Sequence, residues 1–250
     1  MIIVHGLYGA SDNWVSIAKV LSAGFEVFLI DQRNHGQSPH SKEHNYRLMV
    51  DDLYEFVENQ NLDKAVLMGH SMGGKTVMHF AKEYPERVEA LIVLDIAPKS
   101  YVELSKKASI HHYLILNAMR SIDFSKITNR KDVEIRLSEK IDDERIRLFL
   151  LKNIYRNKNN KFSWRLNVEA LYQNIDEIMN GELLPPEEPI TGFPVLFIRG
   201  ADSNYILDED IEKIHEIFPY AELKTIENAG HWLHAEQPEK LLKIIHEFLS

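Results

Sequence analysis

The run Gly69-His70-Ser71-Met72-Gly73-Gly74-Lys75-Thr76 carries residue types that do chemistry, and it fits two chemistries at once. Read as G-x-S-x-G, it is a nucleophile elbow, a tight strand-to-helix turn that exposes a serine hydroxyl. Read as G-x-x-x-x-G-K-T, it is a P-loop, whose successive backbone N–H groups wrap a phosphate. Both patterns need a strand before and a helix after. The apolar run Leu91 to Asp95 even imitates the strand that holds magnesium in P-loop proteins. The physical requirements differ, however. An elbow needs small residues two before and two after the serine, and Gly69 and Gly73 supply them. A P-loop needs close backbone approach along its length, and the bulky Met72 fits that poorly.

The rest of the chain separates the two readings. An activated serine needs a histidine base, an acid to orient that base, and N–H donors for an oxyanion. Gly230-His231-Trp232 lies between the last strand-like run and the last helix-like run, where the base falls in the chain order Ser, Asp, His. His5-Gly6-Leu7-Tyr8-Gly9 follows the first strand-like run, and its turn can aim the Leu7 N–H at the point reached by the Met72 N–H. A P-loop protein has no use for these features. The reading is therefore a serine hydrolase with Ser71 as nucleophile, His231 as base, and the Leu7 and Met72 N–H groups as oxyanion donors. A P-loop NTPase is the remote alternative. Lys75 is then an ordinary helix residue and His234 a cap or surface residue.

Elements must hold these groups in place. Met1 to Val4, Glu26 to Ile30, Ala65 to Met68 and Glu89 to Leu94 read as strands. Between them Ser11 to Leu21, Asn45 to Asn59 and Gly73 to Tyr84 read as helices, with Tyr46, Met49, Val50, Leu53 and Val57 on one face. Such alternation of continuous apolar strands with helices predicts a mostly parallel sheet covered on both faces, with its ligand beyond the carboxyl ends of the strands. From about Ser100 to Pro189 strand runs give way to charged, helix-periodic segments, the clearest being Asp143 to Tyr155. After Pro185, Pro186 and Pro189 the first pattern returns: Pro194 to Ile198 and Ala221 to Ile226 as strands, Asp208 to Phe218 and Pro238 to Leu249 as helices. The fold class is α/β, with residues 1–99 and 190–250 as a core and 100–189 as an inserted helical cap. The charged runs from Lys131 to Arg147 read as a solvated helix face.

Composition narrows the function further. The chain of 250 residues has no cysteine, which excludes a disulfide scaffold, a thiol nucleophile and Cys-ligated metal. Its net charge of −9 argues against nonspecific binding to nucleic acid or an anionic membrane. No run approaches the roughly 18 apolar residues of a membrane span. The first apolar stretch is too short for a secretory leader. These features fit a cytoplasmic protein.

The ordered set His5-Gly6-Leu7-Tyr8-Gly9, Asp31 through Ser38, Gly69 through Lys75, Asp95-Ile96-Ala97-Pro98 and Gly230 through Ala235 resembles the α/β-hydrolase superfamily, and within it the small bacterial esterases of the YbfF type. Phe149-Leu150-Leu151-Lys152 and Trp164-Arg165 extend the resemblance into the insertion, so that it spans nearly the whole chain. The family implies hydrolysis of acyl esters or thioesters beneath a helical cap, without a metal. In the superfamily the acid usually follows the strand after the insertion, here Gly200-Ala201-Asp202-Ser203. The commoner register falls on Ser203, and Asp202 sits one short of it. The alternative acid site ends the strand after the nucleophile helix, here Asp95, and the resembling esterases use it. Asp95 is favoured and Asp202 stays open. His35 is expected to brace the oxyanion loop. Trp164, Tyr155, Phe149 and Tyr113 are candidates for an acyl pocket, with cap packing as the competing reading. A carbon–carbon bond hydrolase or a cofactor-free haloperoxidase could use the same triad. Ser71 excludes the branches that need an aspartate nucleophile. The family's strands ahead of the first His-Gly are missing from this sequence, which begins inside that strand.

Overall fold

The computed structural model of the chain describes residues 1–102, 106–186 and 188–250. Strands β1 (Ile2–Val4), β2 (Phe28–Ile30), β3 (Ala65–His70) and β4 (Val88–Leu94) come first. A hairpin of β5 (Ile154–Arg156) and β6 (Phe162–Trp164) lies in the insertion, and β7 (Val195–Gly200) and β8 (Glu222–Ile226) follow it. Helices α1 (Val15–Leu21), α2 (Tyr46–Asn59) and α3 (Met72–Glu83) alternate with the first four strands. The insertion holds α4 (Lys106–Arg120), α5 (Arg130–Ser138), α6 (Glu144–Leu151), α7 (Val168–Gln173) and α8 (Ile175–Asn180). The chain then adds α9 (Asp210–Ile217), α10 (Leu233–Glu236) and α11 (Pro238–Leu249). No helix among the described residues is long and apolar enough to cross a membrane.

Six strands form one sheet in the order β2-β1-β3-β4-β7-β8, and every pair in it is parallel. The central strands are buried on both faces, which is why their sequences are continuously apolar rather than alternating. Alternate residues serve opposite faces. Ile2, Val4, Leu67, Leu91 and Val93 pack with α2 and α3, whereas Ile3, Met68, Ile92 and Leu94 pack with α1 and α11. The buried stripe of α2 is Tyr46, Met49, Val50, Leu53 and Val57, the face its 3.6-residue spacing predicts, and Asn45 caps it by accepting the Leu48 N–H. Helix α3 stops before Pro85, which cannot continue a helix.

The sequence predicts one helix over Asp143 to Tyr155, and the structure divides that segment. Helix α6 ends at Leu151, and Ile154 starts β5, antiparallel to β6 with Ile154 opposite Trp164. Spacing could not reveal this, because Ile154 follows Leu150 by four positions and both are buried whichever element carries Ile154. Pairing with β6 depends on the turn between them, an asparagine-rich loop with Asn160 at φ 59°. The insertion is thus helical with a small hairpin, not purely helical.

The insertion sits on the core through polar straps. The Asn167 N–H donates to Asn34 O at 2.9 Å, the Tyr46 hydroxyl to Ile178 O at 2.9 Å, and the His40 Nε2–H to Arg165 O at 2.8 Å. Ile115, Leu116, Leu171 and Ile175 continue the apolar core on the α2–α3 side of the sheet.

Candidate active site

Register brings the carboxyl ends of the central strands together: Val4 pairs with Gly69, His70 with Leu94, Leu94 with Ile198. Ser71 is the single residue between β3 and α3, at φ 52° and ψ −118°. A non-glycine residue is held there at a cost of roughly 1–3 kcal/mol, which the surroundings must impose. Its N–H donates to Leu94 O at 3.0 Å, and its carbonyl accepts the Lys75 N–H at 3.1 Å. The flanking glycines are required sterically. A Cβ at Gly69 would lie 2.3 Å from Gly73 O, and one at Gly73 would lie 2.3 Å from Val4 O. Strand, turn and helix are therefore in backbone contact, and the serine side chain stands out from the turn.

Opposite the elbow, Gly6 to Gly9 close a turn through the Gly9 N–H and Gly6 O at 3.0 Å, with Tyr8 at φ 62°. Among the described residues the Leu7 and Met72 N–H groups have no protein acceptor. Met72 N is the first of the orphan donors that every helix N-terminus leaves. Two buried histidines brace the turn, as the sequence predicts for His35. The Tyr8 N–H donates to His35 Nε2 at 3.3 Å and the Gln32 N–H to His5 Nε2 at 3.0 Å. A backbone N–H can only donate, so both Nε2 atoms accept and both protons sit on Nδ1. These are given to Arg33 O at 2.9 Å and to Gly6 O at 2.8 Å. Burial lowers the pKa of both rings, that of His35 strongly, which keeps them in the neutral form this pattern needs.

Asp95 follows β4, is fully buried, and sits at φ 50°. Its Oδ2 accepts from His231 Nδ1 at 2.7 Å and from the Ser203 hydroxyl, and its Oδ1 accepts the Gly200 N–H at 3.0 Å. Three hydrogen-bond donors satisfy the buried carboxylate in place of solvent. His231 Nδ1 must therefore carry the proton, which leaves Nε2 as the basic atom. The ring is fixed on two further sides. Tyr205 stacks on it with centroids 3.9 Å apart, and the His70 Nε2–H donates to the His231 carbonyl at 2.7 Å. Asp202 is exposed and lies outside this network. Ser71 and His231 line the same cavity, but no hydrogen bond joins them. Such contacts are often long in empty sites and tighten when substrate binds. Among the described residues no group of His, Asp and Glu side chains is arranged to hold a metal ion.

The cavity measures about 210 Å³. The core supplies Leu7, Ser71 and Met72 to its wall, and the insertion supplies Tyr101, Ile115, Phe149, Ile178 and Met179. Of the four aromatic candidates, only Phe149 lines it. Trp164 is packed inside the insertion and donates to Met119 O at 3.1 Å, Tyr113 packs edge-on against Tyr172, and Tyr155 lies near the Arg165 guanidinium. Cap packing accounts for these three. His234 is a second correction. It is half-buried on the cavity wall, stacked on Trp14 at 4.2 Å, with its pKa lowered to about 4 chiefly by burial.

Lys75 is the residue that sequence reasoning missed. It is 2% exposed, it reaches the cavity, and its Nζ donates to Lys99 O at 2.7 Å and lies 4.8 Å from the Tyr101 ring centre. Burial lowers its pKa to about 7. The amine is enclosed, with no solvent-facing position from which to meet a phosphate. Its place four residues after Ser71, one helical turn on, was the available signal.

Comparison with known proteins follows the same line. A family model described as the alpha/beta hydrolase fold matches residues 1–238. The mouse protein named sn-1-specific diacylglycerol lipase ABHD11 is 36% identical over all of this chain and 80% of its own. Esterase YbfF of Escherichia coli K12 is 32% identical over all of this chain and 92% of its own. Among solved structures, an esterase from a marine microorganism is 47% identical with a TM-score of 0.94, covering 99% of this chain and 94% of that one.

Proposed function

The chain belongs to the alpha/beta hydrolase fold family and hydrolyses esters, and on that premise we propose that it does so through a Ser71–His231–Asp95 triad and a covalent acyl-enzyme. The observation that carries this reading is the 2.7 Å bond from His231 Nδ1 to Asp95, in the cavity that also holds the strained Ser71. His231 Nε2 takes the Ser71 proton as Oγ attacks the acyl carbonyl. The oxyanion is held by the Leu7 and Met72 N–H groups, neither of which has a protein acceptor among the described residues. The protonated imidazole, stabilised by Asp95, returns its proton to the departing alkoxide. Water then attacks the acyl-serine with His231 again as base. Thioesters fit the same steps, because a thiolate leaves at least as readily as an alkoxide.

The core, residues 1–99 and 190–250, supplies every reacting group in this scheme, and the cap, 100–189, shapes the acyl side. A cavity of about 210 Å³ lies below the roughly 300–1,000 Å³ typical of sites for drug-sized ligands, which supports a short acyl chain. The relative named a diacylglycerol lipase is consistent with an acyl ester as the substrate class. Treatment with a fluorophosphonate followed by intact mass and peptide mapping tests the scheme. We expect one adduct, on Ser71, that is absent in His231→Ala. A well-folded protein that takes no adduct, or takes it elsewhere, would refute the serine mechanism and send the search to nucleotide binding.

A further inference from the structure

Tyr8 follows the proposed oxyanion donor Leu7 and is the third residue of the Gly6–Gly9 turn. Its φ of 62°, with Leu7 absent from the residues of positive φ, makes this a type II turn. Glycine is the residue that takes this position without strain, and a tyrosine there must be held by its contacts. All three of its polar groups are engaged. The N–H donates to His35 of the core at 3.3 Å. The carbonyl accepts from Asn153 Nδ2 at 2.8 Å, and the hydroxyl shares a hydrogen bond with His112 Nδ1 at 3.2 Å. Asn153 and His112 both belong to the cap, 145 and 104 positions away in sequence.

Asn153 is well placed for this. It is buried and lies in the joint between α6 and β5. Its own N–H donates to Leu150 O at 3.0 Å, and its carbonyl accepts the Arg165 N–H at 2.8 Å. Both ends of its backbone are thus tied into the cap, and its amide is free to reach the core turn. We propose that Asn153 is a positioning residue through which the seated cap holds Tyr8 in its left-handed conformation and so keeps the Leu7 N–H aimed at the oxyanion. The idea rests on the serine mechanism above. It implies that the oxyanion site is complete only when the cap is in place. Without the Asn153 bond the turn relaxes toward the right-handed form at Tyr8, and the backbone of Leu7 shifts with it.

The test compares Asn153→Asp, which keeps the shape but offers the Tyr8 carbonyl no donor, with Asn153→Ala and with His40→Ala. The last removes a cap–core strap of similar length that does not touch the turn. The full-length protein is assayed with p-nitrophenyl butyrate, and binding of a butyryl-type trifluoromethyl ketone reports the oxyanion site. For the Asn153 variants we expect kcat to fall about 10- to 100-fold, short of the roughly 100- to 1,000-fold of losing a donor outright. KM should stay within about threefold and ketone affinity should fall in step with kcat/KM. His40→Ala should leave both near wild type. If the buried charge of Asn153→Asp prevents folding, Asn153→Ala decides. Wild-type kcat in the Asn153 variants overturns the proposal, as does a fall in kcat with ketone affinity intact. Ser71→Ala separates the two levels. If it still hydrolyses the ester, the serine mechanism fails and this inference with it. If it is inactive while the Asn153 variants are not, only the inference fails.

Discussion

The side chain of Asp95 concentrates what single residues contribute here. It is fully buried, and its charge is met by the Gly200 N–H, the Ser203 hydroxyl and the His231 ring. Asp95→Asn keeps the volume but favours the wrong His231 tautomer, and we expect kcat to fall about 1,000- to 10,000-fold with the fold retained. Asp202→Asn should remain within twofold of wild type in the same esterase assay, and equal losses in both variants would contradict the geometry. The sequence pointed to Ser71 and His231 as the proposed nucleophile and base because each stands at a strand end within a recognisable local run. It left the acid open because the choice depends on which strand end meets His231, and that contact spans 136 positions. Ser203 occupies the position where the commoner register would put an acid, and its hydroxyl serves the carboxylate that stands at the other site. Lys75 was illegible for a different reason: nothing local tells a helix lysine that its carbonyl acceptor will be Lys99, 24 positions on.

Among the elements, the joint of β3 with α3 has the least tolerance. Gly69→Ala would put a Cβ within 2.3 Å of the Gly73 carbonyl oxygen, so helix and strand must separate. We expect a loss of about 3 kcal/mol, at the upper end of overpacking costs. For a chain of this size that lowers Tm by about 6–12 °C. Gly24→Ala meets nothing within 4 Å and should leave Tm within about 1–2 °C, so thermal melts of the two check the steric argument. The strands and helices of the core were legible because period and length agree with burial. The end of α6 was not, since the apolar spacing of Phe149, Leu150 and Ile154 suits a helix equally well, and only the hairpin partner Trp164 makes Ile154 a strand. The aromatic residues of the cap stayed open between pocket and packing by the same logic, because a large side chain fills a cap interior as readily as it lines a cavity.

At the scale of the whole molecule, burial of neutral histidines sets the acid limit of stability. His5, His35, His44, His70, His79, His112 and His234 all have lowered pKa values, with His44 and His112 at about 3 and His79 and His234 at about 4. In the unfolded chain each titrates near 6.5. Between those values the unfolded state binds protons that the folded state refuses, so stability is intact above about pH 6.5 and falls as pH drops toward 4. Each such ring contributes up to about 1.4 kcal/mol per pH unit. Melting curves at pH 7.5 and 5.0 should show a marked drop in Tm, and equal values would mean that these rings are accessible to protons. The topology carries one more consequence, in time rather than in space. The cap leaves the sheet after β4 and returns at β7, its direct neighbour, and Asp95 gains its Gly200 partner only when that circuit, 105 positions long, has closed. His231 arrives later still, after β8. During synthesis the proposed nucleophile Ser71 and acid Asp95 are made well before the proposed base His231, so a nascent chain carries an unarmed serine until the segment after β8 has been added.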